Sequence, residues 1–263
     1  MKLQLLAAAS AAAALIALPA AAQTEAGRWS FSLETGADFP VEGELNGARS
    51  VQIPDFGVIN PDFAGDAVIV RVNPVNFNDV YDTAWAFGGE AGYGLSDNSE
   101  VFGALRYSKA SGSSTQFGRL QDVETTQTAV INANFDDHEV WTLDLGYRHY
   151  FGEGNWKPYM AGRIGAAFTN GITASFSTPG GELAENNVTF YDDSWSWTLG
   201  ADLGVDWSLN ERWSIQGEVG LRYISDLSDQ TGPGLVNLGL AELNKDSGST
   251  ISAPIMIRGR YTW

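Results

Sequence analysis

The chain has 263 residues and carries 32 acidic against 15 basic side chains, a formal charge of -17 with no cysteine. Such acidity excludes nucleic acid as a partner, since phosphates require a basic surface, and without cysteine no disulfide or thiolate-metal framework can hold the fold. Backbone pairing has to close the structure instead.

The first residues read as an export signal. Lys2 supplies a positive start, an apolar run from Leu5 to Leu18 follows, and Pro19 precedes Ala20-Ala21-Ala22, the small-residue pattern that a signal peptidase cuts. We expect residues 1–22 to be removed and 23–263 to form the mature domain. Losing Lys2 leaves 32 acids against 14 bases, a charge of -18. The run is shorter than the ~20 residues of a membrane helix. A mean hydropathy of -0.13 would suggest a water-soluble chain. Membrane strands escape that measure, because each shows lipid only every second residue.

Eight stretches alternate in this way. In the first, 29–39, Trp29, Phe31, Leu33 and Phe39 oppose Glu34 and Asp38; in the second, 83–95, Trp85, Phe87 and Tyr93 oppose Glu90. The third, 101–108, sets Leu105 and Tyr107 against Arg106, and the fourth sets Trp141, Leu143 and Tyr147 against Asp144 and Arg148. The fifth, 159–168, is the least regular, with Met160 and Ile164 against Arg163. In the sixth, Trp195, Trp197, Leu203 and Trp207 alternate with Asp202 and Asp206. The seventh pairs Val219 and Tyr223 against Glu218 and Arg222, and the last pairs Ile257, Tyr261 and Trp263 against Arg258 and Arg260.

Short links at 96–100, 152–157 and 208–212 carry turn residues. Long links at 40–82, 109–136, 169–193 and 226–248 alternate with them. This pattern predicts an all-β fold, an up-and-down antiparallel transmembrane barrel of about eight strands, with short periplasmic turns and long extracellular loops. Strand-like alternation within the loops at 67–72, 128–135 and 172–176 predicts hairpins that continue beyond the membrane as ribbons. Large rings recur ten positions apart: Trp29 and Phe39, Trp197 and Trp207, Trp213 and Tyr223, with Trp85 spaced so from Leu95. Ten residues at ~3.4 Å each, tilted near 40°, advance about 26 Å, which matches the apolar band between two aromatic girdles. The expected girdle is Trp29, Phe39, Trp85, Trp141, Trp195, Trp197, Trp207, Trp213, Tyr223 and Trp263.

With these features the chain resembles the small eight-stranded outer-membrane proteins: the OmpA-like, OmpX-like, OmpW-like and opacity-type porin families. The resemblance covers nearly all of 23–263. Its most specific element is the final stretch from Ile255, in which Tyr261 and Trp263 resemble the signal read by the barrel assembly machinery; the family's usual terminal Phe is replaced by Trp263. It implies a Gram-negative outer-membrane location, with membrane lipid and lipopolysaccharide as surroundings.

Parity places Glu34, Asp38, Glu90, Asp144, Asp202, Asp206 and Glu218 inside with Arg106, Arg148, Arg163, Arg222, Arg258 and Arg260, a near balance in an acidic protein. Paired guanidinium and carboxylate groups would plug the lumen. Arg258 and Arg260 lie on the last strand, beside the first, so Glu34 and Asp38 are their expected partners. An ion pathway through the same groups is the alternative, which would make the chain a narrow porin. Acidic loops could share divalent cations with lipopolysaccharide phosphates, although a solvated surface explains their charge as well. Asp136-Asp137-His138-Glu139 is the one cluster that could support a surface hydrolase or transferase, but consecutive strand residues face opposite ways and adjacency makes no dyad. His149 falls on the lipid side. No catalytic residue, resident metal or cofactor is expected, and the reading is a non-enzymatic surface barrel.

Overall fold

Eight strands close on themselves in an antiparallel ring. They are β1 (Trp29–Glu42), β6 (Ala84–Ser96), β7 (Ser99–Ala110), β10 (His138–Tyr150), β11 (Trp156–Thr169), β14 (Ser194–Ser208), β15 (Trp213–Ile224) and β16 (Thr250–Thr262). The structure is a computed structural model describing residues 25–227 and 247–263. The expected signal, residues 1–22, and most of the fourth long link lie outside the described residues. Each strand pairs with its neighbours in sequence, and β16 returns to β1 with Glu34 opposite Arg258 and Ser32 opposite Arg260. Closure leaves no exposed ladder edge, the condition for crossing hydrocarbon with strands. The seam is tied at its end, where the Trp263 amide donates to the Trp29 carbonyl at 2.8 Å.

The sequence produces this wall through its period of two. Outward positions hold Leu33, Leu145, Leu203 and Ile257, which are 62 to 78 % exposed. So wide an apolar belt on an isolated surface marks contact with lipid. Rings border it at both ends. At the end carrying the long links, Trp85, Tyr107 and Trp141 form a chain with centroids 5.5 and 4.9 Å apart, and Trp197 lies 5.0 Å from Tyr223. Phe168 contacts Trp195 at the same end, and Phe39 is also outward. At the other end, Trp29 meets Tyr93, Trp156 stacks on Trp207, and Trp213 meets Tyr261, all near 5 Å, while Trp263 stands exposed.

Outside the membrane the loops differ from the separate ribbons expected. β3 (Arg49–Ile53), β4 (Val68–Val72), β8 (Ser114–Asp122), β9 (Thr128–Phe135), β12 (Ile172–Ser177) and β13 (Ala184–Tyr191) join into one six-stranded sheet in the order β13-β12-β9-β8-β4-β3. Two short strands, β2 (Glu44–Asn46) and β5 (Val75–Asn76), pair beside it, and a single helical turn, α1 (Phe77–Val80), follows β5. Hairpins from three different loops therefore lie edge to edge, because each has one apolar face that cannot be buried alone. Those faces make a core that includes Val70, Phe117, Ile131, Phe135, Phe176 and Phe190. Phe190 is fully buried and meets Phe117 and Phe135 edge-on at 5.9 and 5.5 Å. Phe190→Ala should destabilise this sheet by about 3 kcal/mol. Protease applied to whole cells should then cut within 111–135, while unboiled protein keeps its shifted mobility in SDS; cleavage accompanied by loss of that shift would show that sheet and barrel unfold as one unit.

Candidate functional site

The inward face of the barrel is where this chain concentrates its charge. Glu34, Glu90, Asp144, Asp202, Asp206 and Glu218 are buried there, as are Arg106, Arg148, Arg163, Arg222, Arg258 and Arg260. Asp38 also points inward, at the outer mouth. Inward glycines leave the space that these long side chains fill. A Cβ on Gly146 would stand 2.2 Å from the Phe102 ring, and one on Gly204 would stand 2.3 Å from that of Tyr159. Between those rings the Arg148 guanidinium lies 4.5 Å from Phe102 and 5.0 Å from Tyr159, so flat cation and flat rings pack as a stack.

The ion pairs form a continuous network. Near the outer end Arg106 Nε donates to Glu34 at 3.0 Å. The other Glu34 oxygen accepts from Arg258 at 2.6 Å, joining the first and last strands. Arg258 also reaches Glu90 at 3.4 Å and Glu218 at 3.3 Å. Arg163 binds Asp202 at 2.6 Å and Glu218 at 3.1 Å, and Arg222 shares Asp202. Thr198 donates to Asp144 at 2.7 Å, with Arg163 at 4.0 Å. Toward the periplasmic end Arg148 grips both oxygens of Glu90 at 2.9 Å and also binds Glu100. Arg260 binds Glu100 and the Tyr150 hydroxyl, with Asp206 at 3.6 Å. Guanidinium forks of this kind satisfy carboxylates bidentately, which is how so many charges coexist away from water.

Two differences from the sequence-based expectation stand out. Asp38 does not bind Arg258 or Arg260: it lies opposite Pro254, while Arg260 lies opposite Ser32. In an antiparallel pair, later residues of one strand meet earlier residues of the other. Six positions at ~3.4 Å put Arg260 roughly 20 Å away along the strand. Glu100 and Lys157, which the expected turns at 96–100 and 152–157 had absorbed, are instead inward strand residues, 0 and 6 % exposed. They share the parity of Arg106 and Arg163, so running the alternation outward into the turns finds them. With both included the lumen holds eight acids and seven bases.

The four side chains from Asp136 to Glu139 do not go to a common partner. Asp136 accepts from Thr173, and Asp137 and Glu139 both bind Lys109 at 2.9 Å. His138 turns the other way, above the Trp141 girdle and outside the membrane, with its ring 5.1 Å from Tyr81 and 5.6 Å from Phe77. Burial among these rings pulls its pKa down to about 4, so the imidazole is neutral at pH 7. His149 packs edge-on against Phe151 at 4.9 Å. Among the described residues no group of three or more acidic or histidine side chains is arranged to hold a metal ion.

A closed eight-strand ladder, an apolar belt and two girdles of rings define a membrane-spanning β-barrel of the small eight-stranded type. No protein-family model and no curated protein matches the chain. Among solved structures it is similar to the Neisserial surface protein A (NspA), at 13% identity and a TM-score of 0.41 over 90% of this chain and 97% of that one. It is also similar to Ail, the attachment invasion locus protein of Yersinia pestis, at 12% identity and a TM-score of 0.39, covering 91% of this chain and 100% of that one. OprG from Pseudomonas aeruginosa aligns over 92% of this chain and 99% of its own, at 15% identity and a TM-score of 0.37.

Proposed function

We propose that the protein is a non-enzymatic surface barrel: its membrane part is sealed and serves to hold the six-stranded sheet at the cell surface. The supporting observation is the lumenal network, in which Arg148 and Arg258 are 0 and 1 % exposed and each touches at least two carboxylates. A path for hydrated ions needs water along its length, and side chains closed from water on this scale oppose one. Against surface catalysis stands the environment of His138, whose ring packs on Phe77 and Tyr81 and whose nitrogen Nδ1 bonds to no hydroxyl or carboxylate. The partners we propose are the lipid and lipopolysaccharide around the belt, with the barrel assembly machinery reading Tyr261 and Trp263. Divalent cations would bridge single acidic loop groups to lipopolysaccharide phosphates.

Refolded mature protein in a planar bilayer tests this. The expected trace shows rare, brief openings and no steady current. A constant ohmic conductance in the unmodified protein would replace this reading with that of a narrow porin.

A further inference from the structure

The outer mouth of the lumen contains a chamber that the ion-pair network leaves unused. It has a volume of about 70 Å³ and lies between the inward faces of β1, β6, β7, β10, β15 and β16, with Phe77 and Tyr81 over it. Three polar atoms of residues lining it are buried with no hydrogen-bond partner: Asp38 Oδ1, Tyr81 Oη and His138 Nδ1. Tyr81 is only 4 % exposed. Asp38 also stands apart from the other lumenal carboxylates, since among the described residues it alone has no ion pair. The nearest cations, Arg106 and Arg222, bond to Glu34 and Asp202 instead. The Ser252 hydroxyl reaches the Asp38 carboxyl, but a hydroxyl supplies no charge. Asp38 is half-buried with its Oδ1 closed from solvent; a carboxylate so placed without a counter-charge is disfavoured, and here it adjoins an open space.

We propose that this chamber is a binding site for a compact ammonium cation, either ammonium itself or a primary amine of one or two carbons, held by Asp38, Tyr81 and His138. A primary ammonium group carries three N–H donors, ammonium itself four, and neither has an acceptor, which suits three unpartnered atoms able to accept. Its positive charge answers Asp38. The rings of Phe77, Tyr81 and His138, with centroids 5.1 to 6.0 Å apart, form an aromatic corner of the kind that attracts organic cations. His138 is neutral at pH 7 and so offers a lone pair, not a competing charge. A hard alkali or alkaline-earth ion favours an all-oxygen shell, so the nitrogen in this set selects ammonium. The space admits a small amine such as methylammonium, whereas a quaternary amine has no N–H to give to the three acceptors.

The experiment uses the whole mature protein refolded in detergent at pH 7, with the His138 ring followed by NMR. Methylammonium chloride and tetramethylammonium chloride are titrated separately at equal ionic strength. Methylammonium should shift the His138 resonances saturably. Tetramethylammonium, which is larger and has no N–H, should not. Asp38→Asn should weaken the methylammonium response at least tenfold. Tyr81→Phe keeps the charge, removes one acceptor, and should weaken it several-fold; it also serves should Asp38→Asn fail to fold. Equal responses to both salts, a response that never saturates, or one undiminished in the variants would overturn the site and leave water as the occupant of the chamber.

Discussion

Arg148→Ala should lower the temperature at which the protein loses its compact mobility in SDS more than any other single substitution in the lumen. The side chain is fully buried, binds both oxygens of Glu90, contacts Glu100 and packs on Phe102. Removing it leaves two carboxylates short of a partner in a closely packed part of the lumen, and breaking one buried pair costs roughly 3 to 5 kcal/mol. Arg258 near Glu90 and Arg260 on Glu100 offset part of that loss, so the lower end of the range is expected. Arg148→Lys keeps the charge but loses the planar fork and the stacking, and should recover only part of the stability. Unboiled electrophoresis across a temperature series measures both variants. A transition unchanged in Arg148→Ala would mean that the network is not what holds the barrel closed.

The barrel was legible in the sequence because its causes are local. Period-two alternation and the placement of large rings toward the ends of the crossings follow from the lipid slab, and they are written residue by residue in stretches such as 195–207. The inward charges followed from the same parity. Their partners did not, because register is a relation between strands and one sequence carries only each strand's own pattern. Asp38 shows the consequence: its face was readable, its neighbour was not. Glu100 was hidden for another reason, since Asp97 and Asn98 make a turn so clear that its reach was overestimated by two residues at the β7 end. The extramembrane sheet was the least legible element. The pairings β4 with β8 and β9 with β12 join different loops, and the alternation within each loop is equally compatible with a free ribbon.

A second variant is expected to change what the barrel does. Arg258→Ala combined with Arg260→Ala removes two guanidinium groups from successive inward positions of β16, leaving Glu34, Glu218, Glu100 and Asp206 with fewer counter-charges. The two losses share one network and will not add simply. Stability should fall by roughly 3 to 5 kcal/mol for each bridge broken, less where incoming water screens the carboxylates. That same water is the route for current. With a silent parent protein, the double variant should acquire steady conductance, and under a KCl gradient its reversal potential should show preference for the cation, since the exposed groups are acids. A double variant as silent as its parent would show that other side chains seal the lumen. A parent that already conducts, changed by the substitutions only in selectivity, would show that the lumen is a pore.

The bridge from Glu34 to Arg258 spans 224 positions of the chain, and this separation has a kinetic meaning. Neither partner can meet the other until the first and last strands are brought side by side, so the contact belongs to the final step of assembly. Interactions absent from the rate-limiting state of folding leave the forward rate almost untouched and slow the reverse one. The seam therefore behaves as a latch. It hardly hastens closure, but once set it must be broken before β16 can peel from β1, and it lengthens the lifetime of the closed form.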